Sequence, residues 1–187
     1  DHNGNISMFT RRLQNVRKQF PEIVDYVKEH VKGKSFIIDA EGVGYNPKTK
    51  EYLPFQAVSQ RIKRKYDIEQ LQKQLPIELN VFDILYYEGK SLLKNPFKER
   101  TRLLRKIISQ EKWKIIPAKQ IITSSIEKAK KFNNEALKNN QEGIMMKNLE
   151  AEYKPGSRVG YMLKIKPSDN ELDLVITGAE YGTGKRA

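Results

Sequence analysis

The sequence contains no cysteine, which excludes disulfides, thiolate zinc sites and thiol nucleophiles. That lack sits most easily with an intracellular protein. Histidine is nearly absent as well: His2 and His30 stand alone and suggest no metal site. No apolar run approaches the ~18 residues of a membrane span, and mean hydropathy is −0.70. No internal repeat or low-complexity segment occurs. What the chain has instead is positive charge, with Lys+Arg 35 against Asp+Glu 23 for a net +12. That balance favours a polyanionic partner such as DNA, RNA or a nucleotide over a merely soluble basic surface.

With 187 residues the chain can hold one substantial domain and the beginning of another. Its opening, Asp1-His2-Asn3-Gly4-Asn5, is turn-like and lacks an initiating methionine, so the chain reads as a fragment that starts at a hairpin tip, with residues 6–10 as the return strand. Pro21 and the stripe Ile23, Val24 and Val27 predict a helix closed by Gly33. Residues 35–45 alternate as a strand, with Phe36, Ile38 and Ala40 on one face and Ile37, Asp39 and Glu41 on the other. The basic run at 61–65 precedes a short helix at 68–74, and residues 77–87 form a central strand. Leu103, Leu104, Ile107 and Ile108 give a helix over 97–108 an apolar side. Ser124-Ser125-Ile126-Glu127 fits a capping box for a helix to about 139. Residues 142–147, 161–166 and 172–181 read as strands, and with no regular βαβ rhythm the class is α+β.

Two short strand-like runs carry the chemistry. Glu142-Gly143-Ile144-Met145-Met146-Lys147 offers a hard carboxylate ligand, and Leu163-Lys164-Ile165-Lys166 sets two ammonium groups on one face, with Leu163 and Ile165 turned to a core. A metal-chelated polyphosphate suits that set. Other residues admit two readings each. Phe82 is a core aromatic or a base-stacking face, and Asp39 and Glu41 are an acid/base pair or a polar edge. Arg11 and Arg12 hold phosphate or decorate a turn, while Gly182-Thr183-Gly184-Lys185 lacks the length and hydroxyl of a phosphate loop.

Taken in order, the motifs resemble the adenylation domain of ATP-dependent DNA ligases of the archaeal and eukaryotic replicative type. Phe9-Thr10-Arg11-Arg12 is similar to the basic motif beyond that family's nucleophile, and residues 36–43 to its third nucleotidyltransferase motif. Pro54-Phe55-Gln56 and Arg64-Lys65-Tyr66-Asp67-Ile68 are similar to segments of archaeal members; residues 79–86, 142–147 and 163–166 resemble motifs IIIa, IV and V. The resemblance implies a nucleotidyltransferase fold of mostly antiparallel sheets flanked by helices over residues 1–168. It also implies a linker and the first strand of an OB-fold over 169–187.

By the same resemblance Glu41 binds the ribose, Phe82 stacks on adenine, Glu142 holds Mg²⁺, and Lys164 and Lys166 contact the α-phosphate. Arg158 is an additional nucleotide-binding arginine, and Arg11 contacts the ribose or the 5′-phosphate at the nick. The implied partners are ATP and nicked duplex DNA, with no membrane, and with a sliding clamp engaged by parts of the family's architecture outside this chain. The implied reaction passes through enzyme-adenylate and DNA-adenylate. One departure stands out: the family's nucleophile is a lysine in Lys-x-Asp-Gly upstream of Arg11, and residues 1–10 contain no lysine. The expectation is therefore an N-terminally truncated piece, inactive alone, that keeps much of the nucleotide pocket. Alternatives are an RNA ligase or capping-type nucleotidyltransferase, from which the segments at 54–56 and 64–68 argue away, and a non-catalytic basic module that binds nucleic acid.

Overall fold

The structure, a computed structural model, describes residues 4–64, 66–156 and 160–167, with positions 175, 177, 178 and 180. Along the described residues the order is α1 (Pro21–His30), β1 (Phe36–Gly44), α2 (Phe55–Lys63), α3 (Ile68–Gln74), β2 (Ile77–Tyr87) and β3 (Lys90–Ser91). It continues with α4 (Phe97–Ile107), β4 (Ile115–Pro117), α5 (Ile126–Lys138), β5 (Ile144–Lys147) and β6 (Met162–Ile165). This is the expected mixture of helices and largely antiparallel sheet. The strand expected at 172–181, the linker before it and the OB-fold start fall largely outside the described residues.

The apolar run Ile77–Tyr87 becomes β2, the strand on which the main sheet is built. It pairs antiparallel with β1 and β3 and parallel with β4. Ile77, Val81 and Ile84 are wholly buried, and Phe36, Ile38 and Ala40 of β1 pack against the same core, as their alternation predicts. Ile23 and Val27 of α1 and Leu104 and Ile107 of α4 join that core with Ile115 of β4. Apolar spacing of three and four residues puts each helix's stripe on the sheet.

Two expectations need correction, and one helix was not anticipated. Residues 6–10 form no strand: Phe9 makes a single bridge to Asn15, and Thr10 accepts the Leu13 amide in a tight turn. The unanticipated helix is α2, which takes in Arg61 to Lys63 of the basic run and whose Phe55, Val58 and Ile62 have helical spacing. The last helix is capped by Ser125, which accepts from the Lys128 amide at 3.3 Å, so the cap lies one residue later than a box on Ser124 and Glu127 requires.

Candidate functional site

β5 and β6 form a separate antiparallel hairpin in which Met145 faces Lys164 and Lys147 faces Met162. Residues directly opposite share a face, so Lys147, Met145 and Lys164 line one side. The other side carries Ile144, Met146, Leu163 and Ile165. Contrary to expectation, Leu163 and Ile165 reach no core: they are 63% and 37% exposed among the described residues. The hairpin packs lightly on α5, and among the described residues its Met146, Leu163 and Ile165 side lies open while Lys147 on the other side is half-buried.

Glu142, Lys164 and Lys166 converge at the hairpin's open end. Both ammonium groups reach Glu142 Oε2, Lys164 Nζ at 2.9 Å and Lys166 Nζ at 3.0 Å. Hydrogen bonds from the two lysines hold the Glu142 carboxyl below its usual range. The pairing is therefore present above the ordinary carboxylate value near 4.5 and is lost as pH falls through the lowered one. Gly143 makes this convergence feasible. Its φ is +124°, and a Cβ there would sit 2.0 Å from the Ile165 carbonyl oxygen. Gly143→Ala is expected to separate the strands and weaken binding of any ligand held by Glu142 and Lys164 at least tenfold, while the main-sheet core still melts cooperatively; calorimetry and ligand titration on the same sample check both parts.

On the main sheet, pairing skips Phe82: Asp39 faces Asp83 and Ala40 faces Val81, so Phe82 lies in a bulge. Bulges re-aim side chains. Here Phe82 is half-buried, and Lys147 Nζ lies 4.8 Å from the centre of its ring and 4.6 Å from that of Phe97. Lys147 thus ties the hairpin to the sheet. Burial pushes its pKa down, opposed by Asp83 and Asp39. Two carboxylates facing one another repel. Asp83, 2% exposed, is neutralised by Arg100 through Nε–Oδ1 at 2.8 Å and Nη2–Oδ2 at 3.1 Å. Asp39 accepts from Tyr153 Oη at 3.2 Å, and burial pushes its carboxyl up against that bond. Burial and Asp39 together push the Tyr153 phenol up to about 12.

The predicted residues therefore divide. Glu142, Lys164 and Lys166 form one cluster, and Phe82 adjoins the same hairpin through Lys147. Glu41 is exposed on β1 opposite Asn80, and Arg11 is exposed in the turn after Thr10; neither has a polar side-chain contact with a described residue. Arg158 lies outside the described residues. Sequence reasoning missed Lys147, Arg100 and Tyr153. For Lys147 the signal was available, since β-alternation from Met145 puts it on the face of Lys164.

As a divalent-metal ligand, Glu142 fits in donor chemistry: it is a hard, 58% exposed carboxylate beside two ammonium groups.

Residues 1–166 match the family model described as "ATP dependent DNA ligase domain". The DNA ligase of Nanoarchaeum equitans is 51% identical over 180 residues, covering 96% of this chain and 32% of that protein. The DNA ligase of Thermococcus onnurineus is 42% identical over 187 residues, covering 97% and 32%. The chain thus spans about a third of the relatives it matches. Among solved structures, a mycobacterial DNA ligase D complexed with ATP and MES aligns with a TM-score of 0.62 at 22% identity, over 89% of this chain and 49% of that one. The Chlorella virus DNA ligase-adenylate aligns with a TM-score of 0.58 at 17% identity, over 86% and 56%. These two likenesses establish the fold.

Proposed function

Because this chain belongs to the ATP-dependent DNA ligase family, matching its domain over residues 1–166, we propose that it supplies the nucleotide-binding portion of an enzyme that seals nicks in duplex DNA. The observation that carries this reading is the grip of Lys164 and Lys166 on Glu142 at one end of a glycine-dependent hairpin. The Glu142 carboxylate stands between the two ammonium groups, in the place an anion takes. When ATP enters, its α-phosphate takes that place, and the lysines offset charge that builds as pyrophosphate leaves. Glu142, released from them, is the residue we assign to Mg²⁺, whose chemistry there is charge neutralisation on phosphate oxygens.

The remaining assignments follow the family's order. Phe82 receives adenine, on the ring face not taken by Lys147. Glu41 receives the ribose, and Arg11 and Arg158 receive ribose or phosphate. We assign residues 1–168 to the adenylation domain and 169–187 to a linker and the start of an OB-fold. The net charge of +12 supports contact with duplex DNA that weakens as salt rises. Among the described residues no helix is long and apolar enough to cross a membrane. An intracellular setting and a sliding-clamp partner belong to the same proposal.

ATP titration in Mg²⁺ tests the pocket. Lys164→Ala removes a charge-assisted contact of about 1.5–3 kcal/mol and should weaken binding about 10- to 150-fold. Phe82→Ala removes a stacking face of about 1–3 kcal/mol and should weaken it about 5- to 150-fold. Unchanged affinity in both would remove the assignment. Since no lysine precedes Arg11 in these residues, labelled ATP should leave no alkali-stable, acid-labile adduct on the chain, and a Lys-x-Asp-Gly strand joined ahead of Asp1 should create one. Sealing by that longer protein on nicked DNA rather than nicked RNA completes the test.

A further inference from the structure

Outside the nucleotide hairpin, one buried polar atom lacks a hydrogen bond in a setting that calls for a cation. His30 ends α1 and is 7% exposed. Its Nδ1 lies 2.8 Å from the Ser109 carbonyl oxygen, which can only accept, so Nδ1 carries the proton. Nε2 is buried and makes no hydrogen bond. It points at two carboxylates, Glu111 Oε2 at 3.4 Å and Glu29 Oε2 at 3.5 Å. One ligand atom from each of the three residues can be chosen so that all lie within 4.8 Å of one another.

We propose that His30, Glu29 and Glu111 form a binding site for a divalent transition-metal ion, distinct from Glu142, that fastens the end of α1 to the segment between α4 and β4. Three acceptor atoms facing one another are a set that a cation between them stabilises. The separations suit one: metal–ligand bonds of ~2.0–2.2 Å in a tetrahedron place neighbouring ligands ~3.3–3.6 Å apart, which brackets both His30 distances. Glu29 and Glu111 are 60% and 48% exposed, so they can close the remaining gap and leave a fourth position for water. The Ser109 carbonyl fixes the imidazole's tautomer and direction, as outer hydrogen bonds do for metal-binding histidines. An imidazole donor selects Zn²⁺, Co²⁺ or Ni²⁺ over Mg²⁺.

Lys114 is the one other charged group at the cluster among the described residues. Its Nζ takes Glu111 Oε1 at 3.0 Å and lies 3.7 Å from Glu29 Oε2. At Glu111 it uses the oxygen turned away from His30, and so holds the carboxylate in place. The two joined segments are already in register, with the Ser109 amide donating to the His30 carbonyl at 2.9 Å and the Lys32 amide to that of Ile107 at 2.8 Å. A metal would lock this joint.

The test uses metal-stripped protein with Co²⁺ and Zn²⁺ as probes. One equivalent of Co²⁺ should give a visible tetrahedral absorption band that Zn²⁺ abolishes and excess Mg²⁺ does not. Zn²⁺ at a hundred times its Kd should raise the melting midpoint by about 5–10 °C. Glu29→Gln with Glu111→Gln, at exposed positions that leave His30 in its bed, should lose both effects. His2→Asn, removing the other histidine, should keep both. Absence of the band and shift in the unaltered chain, their survival in the double glutamine variant, or equal displacement by Mg²⁺ would each overturn the proposal.

Discussion

Arg61→Ala is expected to destabilise the protein by about 3–5 kcal/mol, because it removes one partner of an ion pair buried on both sides. Arg61 is 0% and Glu22 3% exposed. Each guanidinium nitrogen donates: Nη2 to Glu22 Oε2 at 2.6 Å, Nε to the Gln19 carbonyl at 3.1 Å and Nη1 to the Leu75 carbonyl at 3.0 Å. Its plane also lies 4.7 Å from the centre of the Phe20 ring. One side chain therefore joins the entry to α1, the end of α2 and the end of α3. Alanine leaves the Glu22 carboxylate in the core with no cation and two carbonyls with no donor, which costs more than the pair contributes when intact. For a chain of this size the melting midpoint should fall by about 6–20 °C. Urea unfolding measures the loss directly, and Arg61→Met with Glu22→Leu should recover most of it, since two apolar side chains leave no orphaned charge. A loss below 1 kcal/mol would mean that water reaches the pair.

Much of the scaffold was legible because it rests on period. The alternation of Phe36, Ile38 and Ala40, the apolar run from Ile77, and the stripe Leu103, Leu104, Ile107 and Ile108 each dictate one buried face, and each element formed within a residue or two of expectation. What was illegible depends on partners distant in sequence. Arg61 sits among basic residues that look solvated, and only the fold shows Glu22 lying opposite. That run also hid α2, although Phe55, Val58 and Ile62 had the spacing to disclose it. At the site, alternation placed Lys164 and Lys166 together correctly, yet it could not say that the far face of a two-stranded hairpin has no covering layer among the described residues. Nor does a periodic pattern mark a bulge, so the turning of Phe82 toward Lys147 came from strand pairing alone. His30 was dismissed as isolated for the same reason: Glu111 is far from it in sequence, and the α4–β4 connection brings them together.

Arg100→Ala should cost a similar 3–5 kcal/mol, but with a second consequence that Arg61→Ala lacks. Arg100 is 3% exposed and pairs bidentately with Asp83, while its Nη1 donates to the carbonyl oxygens of Asn95 at 2.5 Å and Ala151 at 3.2 Å. It thus joins the strand carrying Phe82 to the turn that follows β5. Without it Asp83 faces Asp39 across the ladder with only Lys147 to balance one buried and one half-buried carboxylate. Lys147 would be drawn towards them and away from the Phe82 ring, and the hairpin bearing Glu142 would keep only the Phe97 amide of its two donors to the Ala151 carbonyl. Nucleotide affinity should therefore fall along with stability in Arg100→Ala, even well below its melting temperature, whereas Arg61→Ala should bind ATP normally while folded. Asp83→Asn combined with Arg100→Leu separates the two effects, since removing both charges should restore stability more fully than affinity. If the two arginine variants, equally destabilised, lose ATP affinity to the same extent, the defect is general loosening, and Arg100 has no special part in holding the hairpin to the sheet.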